Sequence, residues 1–189
     1  MTVSGTSRSN GHASPEVTGF YDADTGSIQY LAVDRETRKA ALIDTVLTFD
    51  PQSASTHTGS VDAILRFAEA EGVEIVWILD THPHADHLMA SSYLKDRLGQ
   101  PNAIGEKVKE IADLWRDIYH LPDAFDPARD FDHLFADGDT FQIGDLPVRV
   151  MLSPGHTLGS ITYLVGDDAA FVHDTFMQPD AGTSRADFP

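Results

Sequence analysis

The chain of 189 residues contains no cysteine. That excludes disulfides and thiolate metal ligands, and leaves nitrogen and oxygen donors for any metal. Positive charge is also scarce: 13 Lys and Arg stand against 30 Asp and Glu, a formal net charge of −17. Nucleic-acid backbones and anionic membrane surfaces are held by clustered Lys and Arg. No such cluster is present, so neither is an expected partner. Long hydrophobic runs are missing too, with nothing near the ~20 apolar residues of a membrane span. The opening MTVSGTSRSNGHASPEV lacks the apolar segment of a secretory signal. A cytoplasmic protein is the default expectation. No phosphate-binding or dinucleotide glycine fingerprint occurs, and Ser91 and Ser92 have no base at a recognisable spacing.

What remains is enough for one domain: 41% of the residues are apolar. Residues 1–15, rich in Ser, Thr, Gly and Asn, predict a flexible leader, with the domain over 16–189. GSIQYLAVD and KAALIDTV predict two strands. STHTGSVDAILRFAEAEG predicts a helix capped by Ser60 and ended by Gly72, with Val61, Ile64, Leu65 and Ala68 on its apolar face. VEIVWIL is apolar at nearly every position, as in an interior strand covered on both faces. Helices are predicted through LMASSYLKDRL and EKVKEIADLWRDIYH, the latter with Val108, Ile111, Trp115 and Ile118 on one side. TFQIG, LPVRVML, SITYLV and AAFVH then follow as strands. This order predicts a layered α/β fold.

Directly after VEIVWIL comes THPHADH, with three histidines and an aspartate in seven residues. An extended Pro83 puts His82 and His84 on the same side, and Asp86 and His87 follow where the next helix approaches. Imidazole and carboxylate are the usual nitrogen and oxygen donors for zinc, iron and manganese. His156, in the turn SPGHTLGS, and Asp174, after AAFVH, also sit at strand ends. All six predict a metal site along one rim of a sheet. His12, His57, His120 and His133 are isolated and read as surface positions. His173, one residue before Asp174, is expected to point away, and Trp77 and Trp115 to serve the core.

With these segments the chain resembles the metallo-β-lactamase-fold superfamily: His82-Pro-His84-Ala-Asp86-His87, then Gly155-His156, then Asp174. ILDTHPHADHLMASSYLKDRLG, SPGHTLGSITYLVGD and DAGTSRADF are similar in particular to its persulfide dioxygenase (sulfur dioxygenase) branch. The resemblance implies an αββα sandwich. It also implies one Fe(2+), with Zn(2+) as the alternative, held by His82, His156 and Asp174. His84, Asp86 and His87 would then lie around those ligands, or on a second metal, and Arg185 would position substrate. The implied reaction oxidises glutathione persulfide with O2 to sulfite and glutathione. A glyoxalase-II-like thioester hydrolase is the alternative, and an inactive metal-binding half-domain a third reading.

Two departures stand out. Gln178 occupies a position where the resemblance implies an apolar residue. The chain also ends at Pro189, early for this fold, so a sandwich truncated in its second half is expected. Such a sandwich would have an unpaired edge, an uncovered apolar face and reason to form a homo-oligomer.

Overall fold

In the computed structural model the described residues are 2–178 and 180–183, without the side chains of residues 2–4. The first sheet is built from β1 (Thr2–Ser7), β2 (Glu16–Tyr21), β3 (Ile28–Asp34), β4 (Lys39–Ile43), β7 (Glu74–Leu79), β9 (Asn102–Gly105) and β10 (His133–Phe135), in that spatial order. Its first four strands are antiparallel, and β4, β7, β9 and β10 run parallel. β5 (Val46–Asp50), β6 (Ser55–His57) and β8 (Leu88–Met89) make a small separate sheet. The second large sheet is the antiparallel set β11 (Thr140–Ile143), β12 (Leu146–Leu152), β13 (Ile161–Val165) and β14 (Ala169–Phe171).

The lack of alternation in VEIVWIL has its cause in β7. Ile75 and Ile78 pack under α1 (Gly59–Glu71) and α2 (Ser91–Leu98), beside Leu31, Leu42, Ile64 and Leu94. Val76, Trp77 and Leu79 face the second sheet, beside Val148, Val150, Ile161 and Tyr163. A register shift opposite Ala40 and Ala41 lets the consecutive residues Val76 and Trp77 share that face. Each large apolar side chain buried here contributes about 1.5–3 kcal/mol. The layers are helix, sheet, sheet, as expected for an αββα sandwich. Among the described residues, α1 and α2 cover the outside of the first sheet.

Several expectations need correction. Residues 2–7 are not a loose leader but an edge strand paired with β2. Residues 9–14 are tied down as well: Asn10 Nδ2 and Ser14 Oγ donate to Asp168, at 3.0 and 2.8 Å. KAALIDTV is two strands, broken at Asp44, which takes a positive φ. Thr58, not Ser60, precedes α1, and Ser60 is buried, accepting a bond from Gln29. On α3 (Val108–Tyr119), Val108, Ile111 and Ala112 are buried, whereas Ile118 is 52% exposed. Around it Leu114, Tyr119, Leu121 and Phe125 are exposed too, followed by the short α4 (Pro127–Asp130). The outer face of β12 carries Pro147, Arg149 and Met151, all exposed. Gln178 is exposed, so its polarity costs no packing.

Asp34, at the end of β3, joins the two large sheets. Its carboxylate accepts from Thr37 Oγ1 and Glu36 N on its own turn, and from Asp145 N in the β11–β12 turn. Gly144 allows this approach: it has φ +62, and a Cβ there would stand 2.4 Å from the carboxylate. Burial alone would raise the Asp34 pKa, but these bonds lower it. Its stabilisation is therefore present above the ordinary aspartate range and lost as pH falls through the lower folded value. Asp34→Ala should cost about 1–3 kcal/mol at neutral pH. In urea unfolding the gap to wild type should close under acid; a pH-independent gap would contradict the assignment.

Candidate metal centre

Strand direction brings the site together. β4 and β7 are parallel neighbours, so Asp44 and the segment from Asp80 to His87 leave the first sheet at one rim. In the second sheet β12 and β14 both run antiparallel to β13, so His156 and Asp174 leave at a common rim as well. A bond from Ile161 N to Thr81 O, 3.0 Å, joins the two rims. The site thus spans the open end of the sandwich, where loops from both sheets meet.

His82 Nε2 lies 3.7 Å and His156 Nε2 3.4 Å from the same atom, Asp174 Oδ2. The donor atoms of these three residues all fall within 4.8 Å of one another. Donors each ~2.1 Å from a shared centre stand roughly 3–3.5 Å apart, so the set is slightly wider than a closed shell. His82 Nε2 is buried with no hydrogen-bond partner. A buried acceptor left unmade costs about 1–3 kcal/mol, and a cation between these three donors would satisfy it. The residues fit a metal ion. His84, Asp86 and His87 form a second group within the same limit. The rings of His84 and His82 are 4.0 Å apart and those of His84 and His87 4.1 Å. His82 and Asp174 of the first group and all three residues of the second line one cavity of about 620 Å³.

The sequence profile of the Metallo-beta-lactamase superfamily matches residues 24–184. The chain belongs to the metallo-beta-lactamase superfamily. The "Beta-lactamase hydrolase-like protein" of Xylella fastidiosa (strain Temecula1) is 55% identical over 175 residues, 93% of this chain and 40% of its own length. The human "Persulfide dioxygenase ETHE1, mitochondrial" is 30% identical over 161 residues, 84% of this chain and 51% of the relative. The crystal structure of ETHE1 from Myxococcus xanthus superposes with a TM-score of 0.64 at 28% identity, over 85% of this chain and 57% of that one. The chain spans about half the length of these proteins.

Within this superfamily member, electrostatics separates the two groups. Burial pushes the His82 pKa down to about 2, helped by charge on His84 and partly opposed by Asp44. Its ring is therefore neutral and keeps a lone pair for a cation. Thr81 sets which nitrogen offers that pair. The Thr81 hydroxyl donates its one proton to Asp44 Oδ2, at 2.8 Å, so it can only accept from His82 Nδ1, at 3.0 Å. Nδ1 then carries the hydrogen, and Nε2 is bare. His84 goes the other way. Burial would lower its pKa, but the Asp44 carboxylate 3.6 Å from Nε2 raises it. Burial lowers His87, whose Nδ1 sits 3.2 Å from Ser27 Oγ and 3.3 Å from Asp86.

All six residues expected at the site are brought to it except for one qualification: the Asp86 side chain is 70% exposed, at the mouth. Arg185 lies outside the described residues. His173 does not turn away as strand alternation implies, because β14 ends at Phe171 and His173 opens a 3-10 turn with φ +46. Its ring stands 5.2 Å from that of His82, and Nε2 bonds to Ser153 Oγ. Asp44 escaped the sequence reading altogether. The available signal was an acidic residue inside the apolar stretch ALIDTVL. Its neighbour Asp80 is fully buried with both oxygens unpartnered, and burial followed by the charge of Asp44 pushes it up to about 7.

Proposed function

We propose that this chain carries the metal-binding site of a mononuclear iron persulfide dioxygenase, acting on glutathione persulfide with O2. The observation that carries this reading is the set His82, His156 and Asp174: two imidazoles and one carboxylate converging at a cavity that His82 and Asp174 line. Ferrous iron in such a two-His, one-carboxylate set retains open positions for O2 and a sulfur substrate. The protein's own residues have three tasks. His82 from the first sheet and His156 and Asp174 from the second would hold the ion. Val17, Ile28, Tyr30, Phe171, Phe176 and Met177 line the cavity and shield the reacting sulfur from water. Arg185 is proposed to pair with a substrate carboxylate, since no Lys or Arg lines the cavity among the described residues. The net reaction takes up one O2 and one water per persulfide and yields the thiol and sulfite.

One metal is favoured over two by Asp44: its carboxylate, 3.6 Å from His84 Nε2, raises the His84 pKa and so opposes the proton loss that a second ion would require. The similarity to ETHE1 proteins supports the same reading. A two-metal thioester hydrolase is the second reading. It is favoured by the convergence of His84, Asp86 and His87, where His84 Nδ1 and Nε2 and His87 Nε2 are buried without hydrogen-bond partners.

The assay is direct. Protein loaded anaerobically with Fe(2+) should consume O2 with glutathione persulfide and release sulfite in equal amounts. Zinc-loaded protein should not. Cleavage of a glutathione thioester without O2 uptake would replace this reading by the hydrolase, and inactivity in both assays would remove both.

A further inference from the structure

After Asp174 the backbone turns back on itself. The N–H groups of Met177 and Gln178 both donate to the Ala181 carbonyl, at 3.0 Å, and Gln178 bridges Ala181. The returning chain then lies so close to the outgoing one that a Cβ on Gly182 would stand 1.8 Å from the Thr175 carbonyl oxygen. Only glycine fits there, and its effect is to deliver Thr183 between two of the three candidate ligands.

Thr183 N and Oγ1 both donate to the Asp174 carbonyl oxygen, at 2.9 and 2.7 Å. The same Oγ1 lies 2.8 Å from His156 Nδ1. A threonine hydroxyl has one proton, and a carbonyl can only accept. With that proton committed to Asp174, Oγ1 presents a lone pair to His156, so Nδ1 must carry the hydrogen. The Thr183 carbonyl, 3.4 Å from the same nitrogen, lies beyond ordinary hydrogen-bond length, so the hydroxyl is the partner that decides. Nε2, the atom 3.4 Å from Asp174 Oδ2, is then the one with the lone pair. Thr81 does this for His82 by the same proton arithmetic. Two threonines from unrelated loops therefore orient two histidines toward one point.

We propose that Thr183 is a positioning residue that fixes the Nδ1–H tautomer of His156 and clamps it to the Asp174 backbone, so that the second sheet presents both ligands as one unit. The proposal rests on His82, His156 and Asp174 being the metal site. Outer-shell partners of this kind are worth ~10–100-fold in metal affinity.

Zn(2+) affinity of the full chain, measured by competition with a chromophoric chelator, tests it together with nitrogen-15 NMR of the histidine rings. A His156→Gln variant identifies the His156 signal. Wild type should bind Zn(2+) and show His156 protonated at Nδ1. Thr183→Val, which keeps the shape and loses the hydroxyl, should bind ~10–100-fold more weakly and show mixed tautomers. Thr183→Ser should restore both. Wild-type affinity in Thr183→Val would overturn the proposal with the metal site intact, whereas no Zn(2+) binding by wild type would overturn both. Should the valine variant not fold, the wild-type tautomer decides: His156 protonated at Nε2 would overturn it.

Discussion

Substituting His82 by alanine is expected to weaken metal binding by more than the ~10–100-fold that loss of an outer-shell partner costs. His82 is the first sheet's single contribution to the set with His156 and Asp174. Without it, two donors from the second sheet remain, and no donor of this set is left on the first. The effect on the metal-free fold should be much smaller. In that state His82 Nε2 is already a buried atom without a partner, so its removal relieves one cost as it creates a small cavity. The measurement is a thermal melt with and without metal. Wild type should be stabilised on metal addition and the variant hardly at all. If the variant takes up one equivalent as tightly as wild type, these three residues are not the site.

The second large effect concerns Asp44. Burial would raise its pKa, but the His84 imidazole 3.6 Å away, the His82 charge and the Thr81 N–H bring it down to about 2. The carboxylate accepts from Thr81 N at 2.7 Å and Thr81 Oγ1 at 2.8 Å, all in the interior. Asp44→Ala leaves an N–H, a hydroxyl and an imidazole without their anion, at a cost of about 3–5 kcal/mol. It should also release the Thr81 proton and so let His82 adopt either tautomer, lowering metal affinity. Urea unfolding of the metal-free protein reads the first effect and chelator competition the second. A variant as stable as wild type would mean that Asp44 does not organise this rim. Asp44→Asn, which keeps one acceptor, should fall between.

The candidate ligands were legible because their spacing is local. His82 and His84 are two residues apart after an apolar run, and the Gly-His turn and late Asp each follow a strand. The second large sheet, strands β3, β4 and β7 of the first and the long helices were legible for the same reason, as apolar periodicity reports burial directly. The failures share a different cause. Residues 2–7 contain too few large apolar side chains to announce a strand, yet backbone pairing with β2 orders them. The apolar stripe of α3 predicted burial for Ile118, but the helix is covered only along Val108, Ile111 and Ala112. His173 was misdirected because strand alternation was extended two residues past the point where the strand stops.

The sequence by itself determined which residue types could meet a metal, since the absence of cysteine and the HPHADH cluster leave only imidazole and carboxylate. It also determined that an interior strand would carry them. Only the tertiary structure decided which partners tune them. Asp44 reaches Thr81 across 37 positions and Thr183 reaches His156 across 27, and neither pairing leaves a local pattern. The reason is physical: periodicity records which face of an element is dry, whereas the ownership of a single hydroxyl proton depends on ångström distances between strand ends brought together by folding.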